Sequence, residues 1–397
     1  MILPPQGRVR LATRMNRIAP FHVMALLERA QELERQGRDV IHLGVGEPDF
    51  PTPEPIRQAG LQALQQGLTR YTPAAGLPAL RQALSAYYRD FLNAEVAPER
   101  ILITPGASGA LQLALAALVD PGAGVLVADP GYPCNRHFIE LVNGEPQAMA
   151  LSAEGRITAD ILRQHWRPNT VAALLASPDN PTGTVYEAAE LLALQQTVEQ
   201  QGGVLLLDEI YQGLNYEVPV HTLLAQTDRC FVINSFSKFF GMTGWRLGWL
   251  VVPPEFSADI DKLAQNFFIA APTPSQHAAL AAFTAQAAAE RERRRQVLAQ
   301  RRALLLEQLP ALGLRVVGRP QGAFYLYLDA SALTDDSEQF CRQLLEQEAV
   351  VLTPGLDFGE QLGPARHLRL AYTVGEERIL EALMRIRRFI GQQHHAV

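Results

Sequence analysis

The chain has 397 residues, of which 48% are hydrophobic, so it can bury a core for two domains or for one large domain with a smaller lobe. Its formal net charge is -6, with acidic and basic residues intermixed, which excludes the basic surface typical of nucleic-acid binding. No apolar run approaches the roughly 20 residues that a membrane-spanning helix needs. We therefore expect a globular protein with neither a nucleic-acid partner nor a membrane segment.

The N-terminal segment carries four arginines, Arg8, Arg10, Arg14 and Arg17, and no uninterrupted apolar stretch follows them. It therefore does not have the pattern of a secretory signal, and we expect an arm that packs on another part of the assembly. The three cysteines are widely spaced, with neither a CxxC pair nor a histidine at metal-ligand spacing. They indicate buried thiols, no metal site and a cytoplasmic protein.

Short apolar runs alternate with helix-length amphipathic stretches between about Thr104 and Val252. The runs that predict strands are GVLVA at 124–128, VAALLAS at 171–177, GVLLLDE at 203–209, CFVINS at 230–235 and LGWLVV at 247–252. Continuous apolar runs of this kind predict a mostly parallel sheet covered on both faces, which is an α/β domain. Ligands of such sheets bind beyond the carboxyl ends of the strands, where Asn180, Asp208 and Ser235 fall.

The C-terminal part has a different pattern. From about Phe283 to Leu309 the chain predicts one long helix, and we expect its basic face, ERERRR at 290–295, to be solvated. The helix leads into a predicted second lobe. Its expected elements are a strand at 323–328, a helix from about Ser337, the segments 350–355 and 367–372, and a closing helix from Glu376.

Three segments in the first third of the chain can contact a ligand. In LGVGEPDF, residues 43–50, the backbone at Gly46 can approach a ligand closely. In TRYTPAAG, residues 69–76, Tyr71 precedes a predicted helix, and this segment alone favours a structural role for it. In TPGASGALQLAL, residues 104–115, Gly106, Ala107 and Ser108 open an amphipathic helix. Free N–H groups, a hydroxyl and the positive end of the helix dipole suit a phosphate, although a helix cap alone would explain the same residues.

Polar residues also follow the predicted strands of the α/β domain. In DPGYP, Tyr132 could stack on a flat ring. In SPDNPTG, Asn180 can donate a hydrogen bond while Pro181 fixes the turn. In LLLDEIY, Asp208 ends a buried strand, and Tyr211 follows three residues later. A buried carboxylate needs a cationic partner, and a protonated pyridine nitrogen would be one.

The segment SFSKFFGMTGWRLGW, residues 235–249, places Lys238 among small, aromatic and glycine residues, with Arg246 eight positions later. Apolar neighbours would desolvate the amine, which lowers its pKa and makes it a nucleophile toward carbonyls. A solvated lysine at a helix start is the alternative. Because the other segments supply what a Schiff-base lysine would need, we favour that interpretation.

Taken together, these motifs resemble the class I and II aminotransferases, which are fold type I enzymes that use pyridoxal 5'-phosphate. GEPDF, RYTPAAG, the small-residue turn, NPTG, DEIY, SxSK followed by GWRLG, and RLAY occur in the family's order, from about Gly44 to the C-terminus. The resemblance implies a mostly parallel, seven-stranded-type sheet in a large domain, with a smaller α+β domain from both chain ends. We expect 1–50 to form an arm and part of the small domain, 51–285 the large domain, and 286–397 the small C-terminal domain.

The resemblance also implies roles at the cofactor ring. Lys238 would bind the cofactor aldehyde as a Schiff base and then move the proton at the substrate Cα. Asp208 would pair with the pyridine N–H and keep the ring electron-accepting. Asn180 and Tyr211 would hydrogen-bond the phenolic oxygen, and Tyr132 would stack on the ring.

Further roles concern the phosphate and the substrate. The resemblance places the phosphate among Gly106, Ala107, Ser108, Ser235 and Arg246. Arg369 would take the substrate α-carboxylate as a bidentate pair, beside Asn180 and the backbone at Gly46. A tyrosine matching Tyr71 reaches the phosphate from the neighbouring subunit in this family, which implies a homodimer with shared active sites.

Three positions depart from the pattern of some relatives. Ala107 stands where many have glycine, and Tyr132 replaces the tryptophan of the aspartate enzymes. Ser108 occupies the place where some aspartate-specific bacterial relatives carry a lysine for the distal carboxylate. Strict aspartate use is therefore not expected, unless a loop arginine such as Arg17 supplies that charge.

The sequence thus predicts an aminotransferase that moves an amino group from an L-amino acid to a 2-oxo acid, 2-oxoglutarate, by a ping-pong mechanism. A pyridoxal phosphate lyase acting on C–S bonds is an alternative, because the same fold and residues serve elimination. A regulatory module that only senses the cofactor is a second alternative. We disfavour it because no helix-turn-helix pattern precedes the motifs. A cofactor-binding structural protein without turnover is a third alternative, but it would be expected to lose Lys238 or Arg369, and both are present.

Overall fold

A computed structural model of the protein describes residues 11–394; Arg8 and Arg10 of the predicted arm lie outside this range. The helices are α1 (His22–Arg35), α2 (Glu54–Gln65), α3 (Pro78–Leu92), α4 (Gly106–Leu118), α5 (Pro133–Leu141), α6 (Ala159–His165), α7 (Ala188–Gln200), α8 (Ser257–Phe267), α9 (Thr273–Leu280), α10 (Ala285–Gln308), α11 (Ser337–Glu348) and α12 (Glu376–His394). The strands are β1 (Ile41–His42), β2 (Ile101–Thr104), β3 (Gly124–Asp129), β4 (Glu145–Ala150), β5 (Thr170–Ala176), β6 (Val204–Asp208), β7 (Phe231–Ser235), β8 (Gly248–Val251), β9 (Arg315–Val316), β10 (Tyr325–Asp329), β11 (Val350–Val351), β12 (Thr353–Pro354) and β13 (His367–Ala371).

The central element is a seven-stranded sheet with the order β2-β8-β7-β6-β5-β3-β4. Strands β4, β3, β5, β6 and β7 are parallel neighbours, whereas β8 runs antiparallel to both β2 and β7. The predicted α/β class with a mostly parallel sheet is confirmed. The apolar runs of β6 and β7 are buried throughout most of their length because helices cover both faces of the sheet, with α4 packed near β7 and β8 and α7 near β6.

The carboxyl ends of three adjacent strands carry the polar residues that the sequence singled out. Asp208 is the last residue of β6 and Ser235 is the last residue of β7. Asn180 follows the end of β5 by a short turn. Because β5, β6 and β7 are parallel neighbours, these three side chains meet at one edge of the sheet.

Two smaller sheets accompany the central one, and the two-stranded one joins segments from the two ends of the chain. Strand β1 pairs in parallel with β11, so Ile41 lies opposite Val350. Strands β12, β13, β10 and β9 form a four-stranded antiparallel sheet in that order. The pairing of β1 with β11 brings an N-terminal segment to a C-terminal one. The domain boundaries after residues 50 and 285 stay a prediction.

Helix α10 has the predicted length, but its basic face is only partly solvated. Arg291 and Arg294 are buried, which corrects the expectation for the run at 290–295. The Arg291 guanidinium lies 4.8 Å from the centroid of the Phe240 ring. Arg294 donates a hydrogen bond to the carbonyl oxygen of Pro51 (2.7 Å). A contact with an aromatic face and a hydrogen bond to a backbone carbonyl thus stabilise these two guanidinium groups in the interior.

The sequence also predicted buried cysteine thiols and no membrane-spanning helix. Cys230 and Cys341 are buried as predicted, whereas Cys134 is only half-buried. Within residues 11–394, no helix has both the length and the apolar character that crossing a membrane requires.

Candidate active site

A cavity of about 520 Å³ opens at the carboxyl ends of the central strands. The predicted site residues that line it are Gly46, Ala107, Ser108, Tyr132, Asn180, Asp208, Tyr211, Ser235, Lys238, Arg246 and Arg369. Two predicted residues, Gly106 and Tyr71, do not line it. The fold therefore brings together residues from most of the length of the chain in one chamber large enough for a cofactor and a small substrate.

Lys238 faces this cavity from the segment that follows β7. Its Nζ donates a hydrogen bond to the carbonyl oxygen of Gly46 (2.7 Å) and lies 5.7 Å from the centroid of the Phe324 ring. Desolvation lowers the pKa of the amine from 10.5 to about 8, although the carboxylate of Glu47 opposes that shift. A substantial share of Lys238 is therefore a neutral, nucleophilic amine at mildly alkaline pH.

The backbone at Gly46 approaches the lysine because the position has no side chain. A Cβ there would lie 1.9 Å from the phenol oxygen of Tyr325. Any other residue would have to displace Tyr325, so Gly46 and Tyr325 together fix this wall of the cavity.

Asp208 is buried on the floor of the cavity. Its Oδ1 accepts a hydrogen bond from the N–H of Ile210 (3.0 Å). Burial raises the pKa of Asp208 from 3.8 to about 7, and the backbone hydrogen bond offsets only part of the shift. Within the described part of the chain, no arginine, lysine or histidine forms an ion pair with this carboxylate. Its surroundings therefore fit a ligand that brings a positive charge or an N–H donor.

We expect Asp208→Asn to stabilise the cofactor-free protein at pH 8. The raised pKa of Asp208 means that folding disfavours its charged form, so the wild-type protein loses stability as pH rises from about 4 to about 7, and the loss stays complete above that. The variant has no charge to bury, and its gain at pH 8 is about 2–4 kcal/mol. Thermal unfolding at pH 4 and pH 8 measures the difference. An equal gain at both pH values would contradict it.

One end of the cavity has the donors that a phosphate requires. Helix α4 begins at Gly106, whose φ of +71° favours glycine, and a Cβ there would lie 2.8 Å from Nη2 of Arg246. Arg246 donates to the carbonyl oxygen of Thr243 (3.1 Å). The hydroxyl of Ser235 lies 2.9 Å from that of Ser237. A helix N-terminus, a guanidinium and hydroxyl groups thus converge, which suits a dianion.

Arg369 occupies the other end of the cavity and is buried. Its guanidinium lies between two rings, 4.4 Å from the centroid of Tyr325 and 4.8 Å from that of Phe358. Nη1 donates to Oδ1 of Asn180 (3.0 Å) and Nη2 to the carbonyl oxygen of Gly44 (2.6 Å). Its buried Nε has no hydrogen-bond partner. This geometry suits a carboxylate, because an anion would satisfy the free N–H and offset the buried charge.

Of two tyrosines predicted for the site, Tyr211 is buried and lines the cavity, whereas Tyr71 is exposed and does not line it. The hydroxyl of Tyr211 is 2.9 Å from that of Tyr325, and both residues are buried. Tyr71 is 81% exposed.

The loop arginine suggested for a distal carboxylate, Arg17, does not line the cavity. Its Nε lies 3.5 Å from Oε1 of Glu140 in an ion pair. Arg17 therefore does not supply a charge to the cavity of its own chain.

Sequence reasoning missed several residues that line the cavity. They are Phe21, Val23, Met24 and Leu27 of the α1 region, together with Glu47, Ser237, Tyr325, Asp357 and Phe358. Ser237 and Glu47 stand inside motifs already singled out, so spacing could have suggested them. Tyr325 and Phe358 gave no local signal, because only the packing of β10 and of the loop after β12 against Arg369 brings them to the site.

An α/β sheet with a desolvated lysine, an unpaired acid and separate phosphate and carboxylate positions defines an enzyme of the pyridoxal phosphate-dependent class. The chain belongs to the family described as aminotransferase class I and II, whose model matches residues 38–386. Enzymes of this family use pyridoxal phosphate, and this protein is an aminotransferase whose substrates are an amino acid and an oxo acid.

Relatives and solved structures agree with this assignment. The valine–pyruvate aminotransferase of Mycobacterium tuberculosis is 38% identical, over 97% of this chain and 99% of that protein. The aspartate/prephenate aminotransferase of Thermus thermophilus is 36% identical, over 96% and 99%. The crystal structure of an aminotransferase from Mycobacterium tuberculosis has a TM-score of 0.92 at 37% identity, covering 97% of this chain and all, 100%, of that chain.

Proposed function

We propose that this aminotransferase takes the amino group of an L-amino acid and gives it to 2-oxoglutarate in a ping-pong cycle. The observation that carries the proposal is the position of Lys238 and Arg369 in one cavity, the first with a desolvated amine and the second with an unpartnered Nε. An amino acid held by its carboxylate at Arg369 would present its Cα to Lys238.

Lys238 is the residue we assign to proton transfer. When bound, pyridoxal phosphate supplies an electron sink for the charge that develops at the substrate Cα. Nζ of Lys238 removes the proton from that carbon and later returns one, since a pKa near 8 lets the same amine act as base and acid near neutral pH. The hydrogen bond from Nζ to the carbonyl of Gly46 orients the amine toward the cavity.

The remaining residues bind and orient. We assign Asp208 to the protonated nitrogen of the ring, because its carboxylate is buried and unpaired. Tyr211 and Asn180 are assigned to the phenolic oxygen, and Tyr132 to the ring face. The phosphate is assigned to the donors at Gly106, Ala107, Ser108, Ser235 and Arg246.

The acceptor must fit the same cavity as the donor. Every 2-oxo acid has the carboxylate that Arg369 would bind, and 2-oxoglutarate adds a second one. We place that second carboxylate at the mouth, where the side chain of Met24 is 56% exposed and the carboxylate can stay hydrated. The names of the two relatives give different substrates, valine and pyruvate for one and aspartate and prephenate for the other, so family membership does not fix this choice.

We also propose a homodimer with shared active sites. Tyr71 is largely exposed and does not line the cavity of its own chain, although it stands in the motif RYTPAAG. A second copy of the chain would bring this hydroxyl to the phosphate end of the neighbouring cavity. Each site would then need residues from both subunits.

The test of the proposed reaction is a spectroscopic half-reaction. We expect the enzyme loaded with pyridoxal phosphate to have a visible absorption band, which single L-amino acids shift to the shorter-wavelength band of the pyridoxamine form. Addition of 2-oxoglutarate should restore the visible band, and pyruvate serves as the comparison acceptor. A band that no amino acid changes, or release of ammonia and pyruvate without the shift, would contradict transamination and favour elimination.

A further inference from the structure

We propose that the donor side chain lies in an apolar compartment formed by the start of α1, so that the enzyme prefers apolar amino acids to aspartate, and that Asp357 is the positioning residue that holds this compartment in place. The inference rests on the proposed transamination and specifies the substrate class of the same site.

The compartment has one apolar wall from α1. Phe21, Val23, Met24 and Leu27 line the cavity, and Phe358 lines it beside Arg369. Met24 and Leu27 are three positions apart and therefore share a face of the helix. Met24 leaves more than half of its side chain uncovered at the cavity mouth. An apolar substrate side chain would cover that surface.

Among the described residues of this chain that line the cavity, no cation is left for a second carboxylate. The basic residues in the described lining are Lys238, Arg246 and Arg369. The first is assigned to proton transfer, the second to the phosphate and the third to the α-carboxylate. The side-chain carboxylate of aspartate would lie against the apolar residues of α1, and no basic residue of this chain's own lining would pair with it.

Asp357 fixes the start of α1 from a distant part of the sequence. Its Oδ1 accepts a hydrogen bond from the N–H of His22 (2.7 Å), and its Oδ2 accepts one from the N–H of Val23 (3.0 Å). The residue at the N-cap position, Phe21, provides no side-chain cap of its own. The buried carboxylate of Asp357 therefore acts as the cap and complements the positive end of the helix dipole.

The loop that carries Asp357 is itself held to the central sheet. The carboxylate of Asp129, the last residue of β3, accepts hydrogen bonds from the N–H groups of Glu360 (2.9 Å) and Gln361 (3.1 Å). The N–H of Gly131 donates to the carbonyl oxygen of Phe358 (2.8 Å). Thus one loop links the sheet, the ring stacked on Arg369 and the helix that would contact the substrate side chain.

Met24→Arg tests the substrate class. For the wild-type enzyme we expect kcat/KM for leucine or phenylalanine to exceed that for aspartate by at least about 100-fold. Arginine at position 24 would supply a cation and should reduce this ratio by at least about tenfold, whereas Met24→Leu should leave it within about twofold. A wild-type preference for aspartate, or an unchanged ratio in Met24→Arg, would overturn the proposal.

Asp357→Asn tests the positioning role. The amide keeps the shape but can accept only one of the two hydrogen bonds, so KM for apolar donors should rise about tenfold while kcat changes less than about threefold. The visible cofactor band should be unchanged, and Glu360→Gln, an exposed change in the same loop, should behave like wild type. A fall in kcat alone, or loss of the band, would contradict this role.

These outcomes also separate the inference from the proposed function. If no amino acid converts the visible band, the proposed transamination itself is wrong. If amino acids convert it, but aspartate reacts best and both variants behave like wild type, transamination stands and the inference fails.

Discussion

Lys238→Ala is expected to abolish the visible band of the pyridoxal phosphate-loaded enzyme and to lower kcat by at least about 10⁴-fold, because the change removes both the covalent attachment and the proton-transferring amine. The chain contains one other lysine, Lys262, which offers a matched control. Lys262 is exposed, and its Nζ pairs with Asp259 (2.6 Å). Lys262→Ala should keep both the band and the activity. A Lys238→Ala enzyme with normal turnover would refute the assignment.

The same variant tests the shared active sites of the proposed dimer. Mixed dimers of Lys238→Ala and Tyr71→Ala subunits would contain one site with both Lys238 and Tyr71 intact. We therefore expect a mixture that has exchanged subunits to be several-fold more active than either variant alone. If Tyr71 acted within its own chain, every site in the mixture would lack one of the two residues, and activity would not rise above the average of the separate variants.

Arg369→Leu is expected to lower kcat/KM for every amino donor by about 100-fold or more, with most of the effect in KM. The variant loses the guanidinium that lies between Tyr325 and Phe358 and the buried Nε that has no other partner. Arg369→Lys should recover little, since an ammonium keeps the charge but not the paired N–H donors that match a carboxylate.

Arg366 provides the control for this experiment, because it precedes the same strand and is exposed. Arg366→Lys should change kcat/KM less than about twofold. The visible band should persist in Arg369→Leu, which separates substrate binding from cofactor binding. Retention of wild-type KM values in Arg369→Leu would exclude a role in holding the substrate carboxylate.

Most of the residues that the sequence singled out line the cavity, because its motifs place polar side chains at fixed distances from secondary structure. Asp208 and Ser235 end apolar runs that predict buried strands. The carboxyl ends of neighbouring parallel strands lie at the same edge of the sheet, so the two side chains come close together. The helix that begins at Gly106 is the basis of the predicted phosphate position, which follows from the same local logic and stays a prediction. The basic face of α10 was assigned wrongly, because composition does not reveal that Phe240 and the Pro51 carbonyl receive Arg291 and Arg294.

The α/β sheet and the residues at the strand ends were thus predictable from the apolar runs, since these features depend on hydrophobic period and local spacing. The family was indicated by the resemblance of the ordered motifs. The surroundings of the site residues became visible in the folded structure alone. The stacking of Tyr325 and Phe358 on Arg369 joins distant segments, and so do the hydrogen bonds that the first N–H groups of α1 donate to Asp357, which span up to 335 positions. Contacts of that range depend on how the elements pack, and packing leaves no periodic trace in either segment.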